Sequence, residues 1–438
     1  MTALMWISHA ERRLRADELC WALAVELGST DFDFGNIPSI STLLNCCQGL
    51  ITVDKGGSIV RLIHFTLQEY LSAHPDIFIK PHSAMAEICL TYLNSQQVKA
   101  LSTALYPDTR DIPFLQYCSV YWGVHAKKGL SGYGKSLALE LLKEPYSQVS
   151  TELLFAHEML YYKVLDTCAP ISGLHCASFF GIVELVVALI EVRGSDINEG
   201  GYRGHTPLSW AAHNGHEEVV KILLGRGEVT PDKANKFGKT PLSDAARNGH
   251  VEVVKILLER EDVNPDAPDK HGQTPLWYAA ASGHEGVIQI LLGREEVNPN
   301  KPNFDGDTPL SYAARNGREG VVKLLLGRED ISPDKAGQFG QTPLACAAGM
   351  GHEEVVKILL GREEVNPDAL DNWGRTSLFN AILGGQEGVV KILLEREDVD
   401  SDKPNKLGVT PLEYATYKGY EEIVTLPQSR NLVAPATI

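Results

Sequence analysis

Residues 269–303 read DKHGQTPLWYAAASGHEGVIQILLGREEVNPNKPN, and the triplet Thr274-Pro275-Leu276 near their start decides the architecture of most of the chain. The same triplet stands at Thr206-Pro207-Leu208, Thr240-Pro241-Leu242, Thr308-Pro309-Leu310, Thr342-Pro343-Leu344 and Thr410-Pro411-Leu412, in steps of 34 residues, with one altered copy at Thr376-Ser377-Leu378. A period of this size means stacked units, because each unit can bury its apolar face only against the next copy. Gly272 lies two residues before the threonine, and glycine recurs there at Gly204, Gly238, Gly306, Gly340, Gly374 and Gly408. A tight turn with positive φ accounts for that regularity. The threonine then caps a helix, and the proline takes the first helical position, where no N–H is needed. Leu276, Ala279 and Ala280 form the packing face of this short helix, and Gly283 ends it. Val287, Ile288, Ile290, Leu291 and Leu292 give a second, strongly apolar helix, with Arg294 at its end, where a cation suits the helix dipole.

A hairpin followed by two antiparallel helices, with Thr-Pro-Leu opening the first, resembles the ankyrin repeat. The resemblance implies a fold dominated by α-helix: a solenoid of about eight helix-turn-helix units with β-hairpin tips. Counting back from Thr206 reaches Ser172, where Ser172-Gly173-Leu174-His175-Cys176-Ala177 and Val186-Val187-Ala188-Leu189-Ile190 make a divergent first copy. The array is expected over 167–426. Its last unit keeps the first helix but runs from Glu422-Ile423-Val424-Thr425-Leu426 into Pro427, which stops a helix. A frayed final unit and a disordered tail over 427–438 are expected.

In ankyrin arrays the tips and the outer end of the first helix line a concave surface that recognises partners, and here these positions vary most between copies. Tyr202, Phe237, Phe304, Phe339 and Trp373 place aromatics on the tips. Arg203, Lys239, His271, Asp305, Gln341 and Arg375 stand beside them, and Asn214, Asn248, Ser282, Asn316, Met350 and Lys418 lie toward the helix ends. Aromatic and arginine side chains are enriched at protein interfaces, so Tyr202, Arg203, Phe237, Lys239, His271, Phe304, Asp305, Phe339, Gln341, Trp373 and Arg375 are the candidate contacts for a protein partner. Each ring could instead pack on the neighbouring tip. The histidines at His216, His250, His284 and His352 recur once per unit, too far apart to share an ion, and are expected to be helix-start hydrogen-bonders.

A net charge of -16 argues against general affinity for nucleic acid or anionic membrane and is compatible with basic protein partners. Eight cysteines (Cys20, Cys46, Cys47, Cys89, Cys118, Cys168, Cys176, Cys346) form neither a CxxC pair nor a disulfide framework, which fits a reducing compartment. Neither a signal peptide nor a membrane-spanning stretch is evident, so a cytoplasmic or nuclear location is expected.

The first 160 residues lack the repeat. Helices are expected over 3–10 and 16–26 and from Ser39, then strands at Leu50-Ile51-Thr52-Val53 and Ile59-Val60-Arg61-Leu62-Ile63 around Asp54-Lys55-Gly56-Gly57, then a helix from His64. Helices followed by a β-hairpin make a winged-helix pattern. DNA binding through it is disfavoured, because residues 1–80 carry six Lys and Arg against nine Asp and Glu. The texts MWISHAERRLRADELCWALAVE, LLNCCQGLITVD and IVRLIHFTLQEYL resemble the winged helix that follows the NACHT ATPase in fungal NOD-like (STAND) proteins, many of which continue into ankyrin arrays. That resemblance implies a winged-helix-like domain over 1–80, a helical connector over 81–166, and a chain that lacks the ATPase.

One motif competes. Gly129 to Ser136 reads GLSGYGKS and matches the phosphate-cradling G-x-x-x-x-G-K-[ST], with Gly129, Gly134, Lys135 and Ser136 as its signature residues. A working loop of this kind needs a buried strand before it, whereas the preceding Tyr121 to Lys128 reads as a helix end. Nucleotide switching therefore stands as an alternative to an interaction scaffold, as does DNA association. No nucleophile elbow, metal-ligand spacing or paired-carboxylate context is found, so no catalytic residue, cofactor or metal is expected.

Overall fold

The computed structural model describes residues 1–54, 58–101, 112–143, 153–154, 171–192 and 196–425. The turn residues Lys55 to Gly57, Cys168, residues 167–170 at the expected start of the array and the tail over 427–438 lie outside them. Two compact units are present, Met1–Thr230 and Pro231–Ile438.

In the first unit, α1 (Thr2–His9), α2 (Ala16–Ala24) and α3 (Ile40–Cys46) precede the strands β1 (Ile51–Val53) and β2 (Val60–Leu62) and the helix α4 (Phe65–Ala73). Ser39 caps α3 and His64 caps α4, so both helices start where the sequence places them. The strands pair antiparallel with Ile51 opposite Leu62 and Val53 opposite Val60. Hydrogen bonds from Ala16 N–H to the Ser58 carbonyl (2.6 Å) and from Val60 N–H to the Leu14 carbonyl (3.0 Å) tie the hairpin to the segment before α2. Glu18, buried in α2, accepts the Arg15 N–H and binds Arg12 through both oxygens (2.6 and 2.8 Å), so the turn into that helix is closed by a carboxylate.

Next come α5 (Pro81–Asn94), α6 (Gln96–Lys99), α7 (Phe114–Lys128) and α8 (Gly132–Lys143). Trp6 of α1 is fully buried between Phe114 and Tyr117 of α7, at ring-centroid distances of 5.5 and 5.7 Å. Trp21 of α2 stacks on Phe32 and meets Tyr92 of α5 edge-on. These rings make the winged helix and the connector helices one aromatic core. The divergent first repeat follows as Gly173–Phe180 and Val183–Ile190. Ser172 stands at the threonine position but makes a different contact: its N–H (3.1 Å) and its hydroxyl (2.7 Å) both meet His175 Nδ1, and the other ring nitrogen of His175 reaches the Glu199 carbonyl (2.9 Å). The Phe180 ring lies on Trp122 and directly over Gly123, where a methyl group would collide with it.

In the second unit the repeat frame is main-chain chemistry. Thr240, Thr274, Thr342 and Thr376 each accept, through the side-chain oxygen, the N–H three residues on. That bond satisfies one of the orphan donors of a helix start, and the proline that follows most of these threonines removes another. Second helices bury one face, as with Val355, Val356, Leu359 and Leu360 of Glu353–Leu360. The expected hairpin tips are tight turns: Asn235 N–H bonds the Lys239 carbonyl (2.9 Å), and the Asn235 side chain accepts from Phe237 and Lys239 N–H. No strand lies at a tip among the described residues. His284 and His352 open second helices and reach back to the Arg247 and Arg315 carbonyls of the preceding repeat (2.9 and 3.0 Å), as their recurrence suggests.

The last helix, Glu421–Thr425, buries only Ile423. Hydrogen exchange measured on the full chain should be faster for its amides than for those of Glu353–Leu360, since local opening follows the number of buried contacts. Gly123→Ala should lower the denaturation midpoint of the first unit, with an overpacking cost of about 1–3 kcal/mol. An unchanged urea midpoint would show that the Phe180 ring moves aside freely.

Candidate partner-binding surface

In the second unit a recurring hydrogen bond sets the tips one against another. Lys270 N–H donates to the Phe237 carbonyl (3.0 Å), Phe304 N–H to that of His271 (2.8 Å), Asn372 N–H to that of Phe339 (2.9 Å) and Lys406 N–H to that of Trp373 (3.0 Å). The accepting residue stands directly before the turn glycine at Phe237, His271, Phe339 and Trp373, whereas Phe304 is a donor and stands one position earlier on its tip. Phe237, Phe304, Phe339 and Trp373 all carry exposed rings, Phe304 the most at 79%. His271 and Asp305 are exposed at their tips.

Neighbouring rings nevertheless touch. Phe339 and Trp373 lie 5.3 Å apart between centroids, and the Arg375 guanidinium sits 4.2 Å over the Trp373 ring. Arg375 is fixed there by Asp371, whose carboxylate it meets at 2.7 Å. Packing and exposure therefore coexist: each of these rings is anchored on one side and open on the other. Lys239 places its ammonium 4.5 Å over the Tyr278 ring, and burial pulls its pKa below the usual lysine range. Gln341 is half-buried and bonds Asn380 (3.3 Å).

The polar contacts continue across three consecutive repeats. Arg315 holds Asp307 through two bonds (2.6 and 3.0 Å) and reaches Cys346 Sγ (3.6 Å). Cys346 contacts Gln341, Gln341 contacts Asn380, and Asn380 shares the Asp371 carboxylate with Arg375. Burial pushes the Cys346 thiol up, against the pull of Arg315. Beside this chain of contacts Trp277 lies on Tyr312 at 4.5 Å, and the Tyr278 hydroxyl donates to Asp269 (2.6 Å). Burial and that carboxylate both raise the Tyr278 pKa.

Arg315, Tyr278, Tyr312, Cys346 and Asn380 make these contacts and lie outside the candidate set, and Tyr278, Cys346 and Asn380 among them are buried. Four of them share one register, four residues after the threonine, where Trp210, Asp244, Tyr278, Tyr312, Cys346, Asn380 and Tyr414 stand in turn. That variation inside an otherwise constant helix is the signal that marks them. In the first unit, Tyr202 and Arg203 form the tip of the Thr206 repeat, with Arg203 in the left-handed region (φ 53°) and its guanidinium 5.4 Å from the Tyr202 ring.

The Gly129–Ser136 motif is not a phosphate cradle. Gly129 ends α7, and Gly134, Lys135 and Ser136 lie inside α8. The N–H groups of Gly134 and Lys135 are spent on Ser131 (both 2.8 Å), and Ser136 bonds the Gly132 carbonyl (3.2 Å). A helix, not a strand, precedes the motif, so the nucleotide alternative is corrected.

The family model of ankyrin repeats matches this sequence in overlapping stretches that run from residue 153 to residue 426. The chain belongs to the ankyrin repeat family. Residues 1–78 match the winged helix domain of GPI inositol-deacylase. Among solved structures, the chain is similar to the ankyrin repeat domain of Bcl-3, a member of the IkappaB protein family, at 26% identity over 52% of this chain and 100% of that one, with a TM-score of 0.47. It is also similar to the ankyrin repeat protein EF0377, at 29% identity over 43% of this chain and 96% of that one, with a TM-score of 0.41. No curated protein matches it.

Asp307 is buried and Arg315 is about one-fifth exposed, so Arg315→Leu removes the charged partner of a nearly buried carboxylate and leaves it the Gln338 N–H (3.0 Å). The expected cost is about 1–3 kcal/mol, below that of a fully buried pair because water reaches the arginine. A double-mutant cycle with Asp307→Ala in urea denaturation checks it, and additive effects would show that the pair is not coupled.

Proposed function

We propose that the chain is a non-enzymatic interaction scaffold and that the face built from tips and first helices of the second unit binds a protein partner. Ankyrin repeats as a family support the scaffold role. The observation that carries the assignment to this face is the pair Phe339 and Trp373, half-exposed, with Arg375 held over it by Asp371. Rings already fixed by their neighbours lose little rotamer freedom on binding, which is the main cost of using flexible side chains at an interface. Met350, exposed at the end of the first helix in the Phe339 repeat, adds an adaptable apolar contact. The acidic balance of the chain favours a partner with basic character.

The finer setting rests on resemblance. The quoted segments of residues 1–80 point to the winged helix of fungal NOD-like proteins, and the match of residues 1–78 to a winged helix domain supports that part of it. In such a setting the chain would act in the cytoplasm in self/non-self recognition, by binding a partner.

Affinity capture with the full chain tests the surface. The double variant Phe339→Ala, Trp373→Ala should lose proteins that the wild type retains, while Lys357→Ala on the exposed side of a second helix should retain them. Equal recovery by the double variant, with an unchanged denaturation curve, would place recognition elsewhere.

A further inference from the structure

Three side chains of the first unit converge on one point that neither the repeat frame nor the partner surface explains. They are Glu11, just after α1, His82 at the start of α5 and His125 in the last turn of α7. One ligand-capable atom from each lies within 4.8 Å of the other two. The Nδ1 atoms of His82 and His125 face each other at 2.8 Å, and a Glu11 carboxylate oxygen stands 3.8 Å from His125 Nδ1. Their imidazole rings are stacked, with centroids 5.1 Å apart.

The surroundings fix the donors in place. His125 is completely buried, with the Trp6 ring against its edge. Its second nitrogen, Nε2, meets the Tyr117 hydroxyl at 2.8 Å, and the same oxygen accepts the Glu11 N–H at 3.2 Å. A ring nitrogen tied to an outer partner in this way is the usual arrangement behind a metal-ligating histidine, because it sets both tautomer and orientation. Burial pushes the pKa of both His82 and His125 down, that of His125 to about 3. Glu11 is the accessible member at 21% exposure, and it gives the point a solvent side.

Two protonation patterns satisfy this geometry. In one, the tyrosine donates to His125 Nε2 and a single proton bridges the two Nδ1 atoms. In the other, His125 Nε2–H donates to the tyrosine oxygen, leaving the two Nδ1 lone pairs facing each other with a carboxylate oxygen beside them, an arrangement that a cation would relieve. We propose that the second pattern is used and that Glu11, His82 and His125 form a binding site for a first-row divalent cation, with zinc the best fit. Two imidazole nitrogens and one carboxylate oxygen are a common zinc donor set, which leaves a fourth position for water. Zn–N bonds of about 2.0–2.1 Å put tetrahedral ligand atoms about 3.3 Å apart, so the two rings need to separate by roughly half an ångström and to turn until their lone pairs converge on the ion. Lys128 bonds the same Glu11 oxygen at 2.5 Å. It must share or yield that carboxylate, which has lone pairs for both. The bound ion would tie the segment after α1 to α5 and α7 and stabilise the first unit by mass action.

The experiment uses the full chain, stripped with chelator and titrated with zinc chloride in a calorimeter and with cobalt chloride in a visible spectrophotometer. The expected result is one equivalent of zinc, a cobalt spectrum of tetrahedral type, and a higher melting midpoint with zinc present. His82→Ala and Glu11→Gln should each bind at least about tenfold more weakly. Glu11→Gln keeps the shape of a partly accessible side chain, so it remains decisive should His82→Ala fail to fold. No zinc uptake by the wild type would overturn the site and leave a proton between the two imidazoles. Zinc bound as tightly by the variants as by the wild type would overturn it too, since the ion would then sit on other residues.

Discussion

The hydrogen bond that passes from one tip to the next sets the spacing on which the rest of the second unit depends. It joins Lys270 N–H to the Phe237 carbonyl and recurs at His271, Phe339 and Trp373. Each time the accepting residue directly precedes the turn glycine, and at Gly238 an added Cβ would press on the Lys270 backbone nitrogen. Glycine is therefore required twice there, for its positive φ (82°) and for the close approach of the next tip. Once main-chain atoms carry the stacking, the side chain at the carbonyl position owes nothing to the frame. That is why it can be Phe237 in one unit, His271 in another and Trp373 in a third.

Legibility in the sequence divides along the same line. Everything held by backbone geometry or helix capping recurs from repeat to repeat and is visible in one chain: the glycine turn, the threonine cap, the apolar second helix, and even the divergent first copy, found by its register at Ser172, though not the Ser172–His175 bond. The winged-helix elements are legible for a related reason, since Ser39 and His64 are local caps and the strands are short apolar runs between turn residues. Contacts between variable side chains are not legible this way. Nothing in the text says that Arg315 reaches both Asp307 and the Cys346 of the next repeat, because that depends on stacking geometry rather than spacing. The convergence of Glu11, His82 and His125 is hidden for the same reason: residues 43 and more apart meet only through the packing of α1, α5 and α7.

The Gly129–Ser136 segment shows the opposite failure, a pattern that is legible but empty. Its residue types meet the phosphate-loop spacing, yet that spacing has chemistry only when main-chain N–H groups are free to point at an anion. Here Ser131 receives the Gly134 N–H on its hydroxyl and the Lys135 N–H on its carbonyl, and its hydroxyl passes on to Glu87 at 2.6 Å. A helix start with its own cap and a carboxylate in front has no vacancy for phosphate. The local hydrogen-bond count thus outranks the motif.

The run of contacts from Asp307 through Arg315, Cys346, Gln341, Asn380 and Asp371 to Arg375 has a consequence for how such a surface can change. In a stacked array stability is approximately a sum over units and their nearest-neighbour interfaces, so a substitution on the frame is felt locally. Gln341 and Arg375 of this run are among the proposed contacts, while Asp307, Cys346, Asn380 and Asp371 are buried, and the run passes from one repeat to the next. Replacing one therefore alters what the face presents and how firmly adjacent units are joined, and the two effects cannot be separated by a single change. The exposed rings at Phe304 and Phe237 lie outside the run. The proposed surface accordingly has two kinds of positions: exposed tips outside the run, and a polar run whose members are coupled to one another.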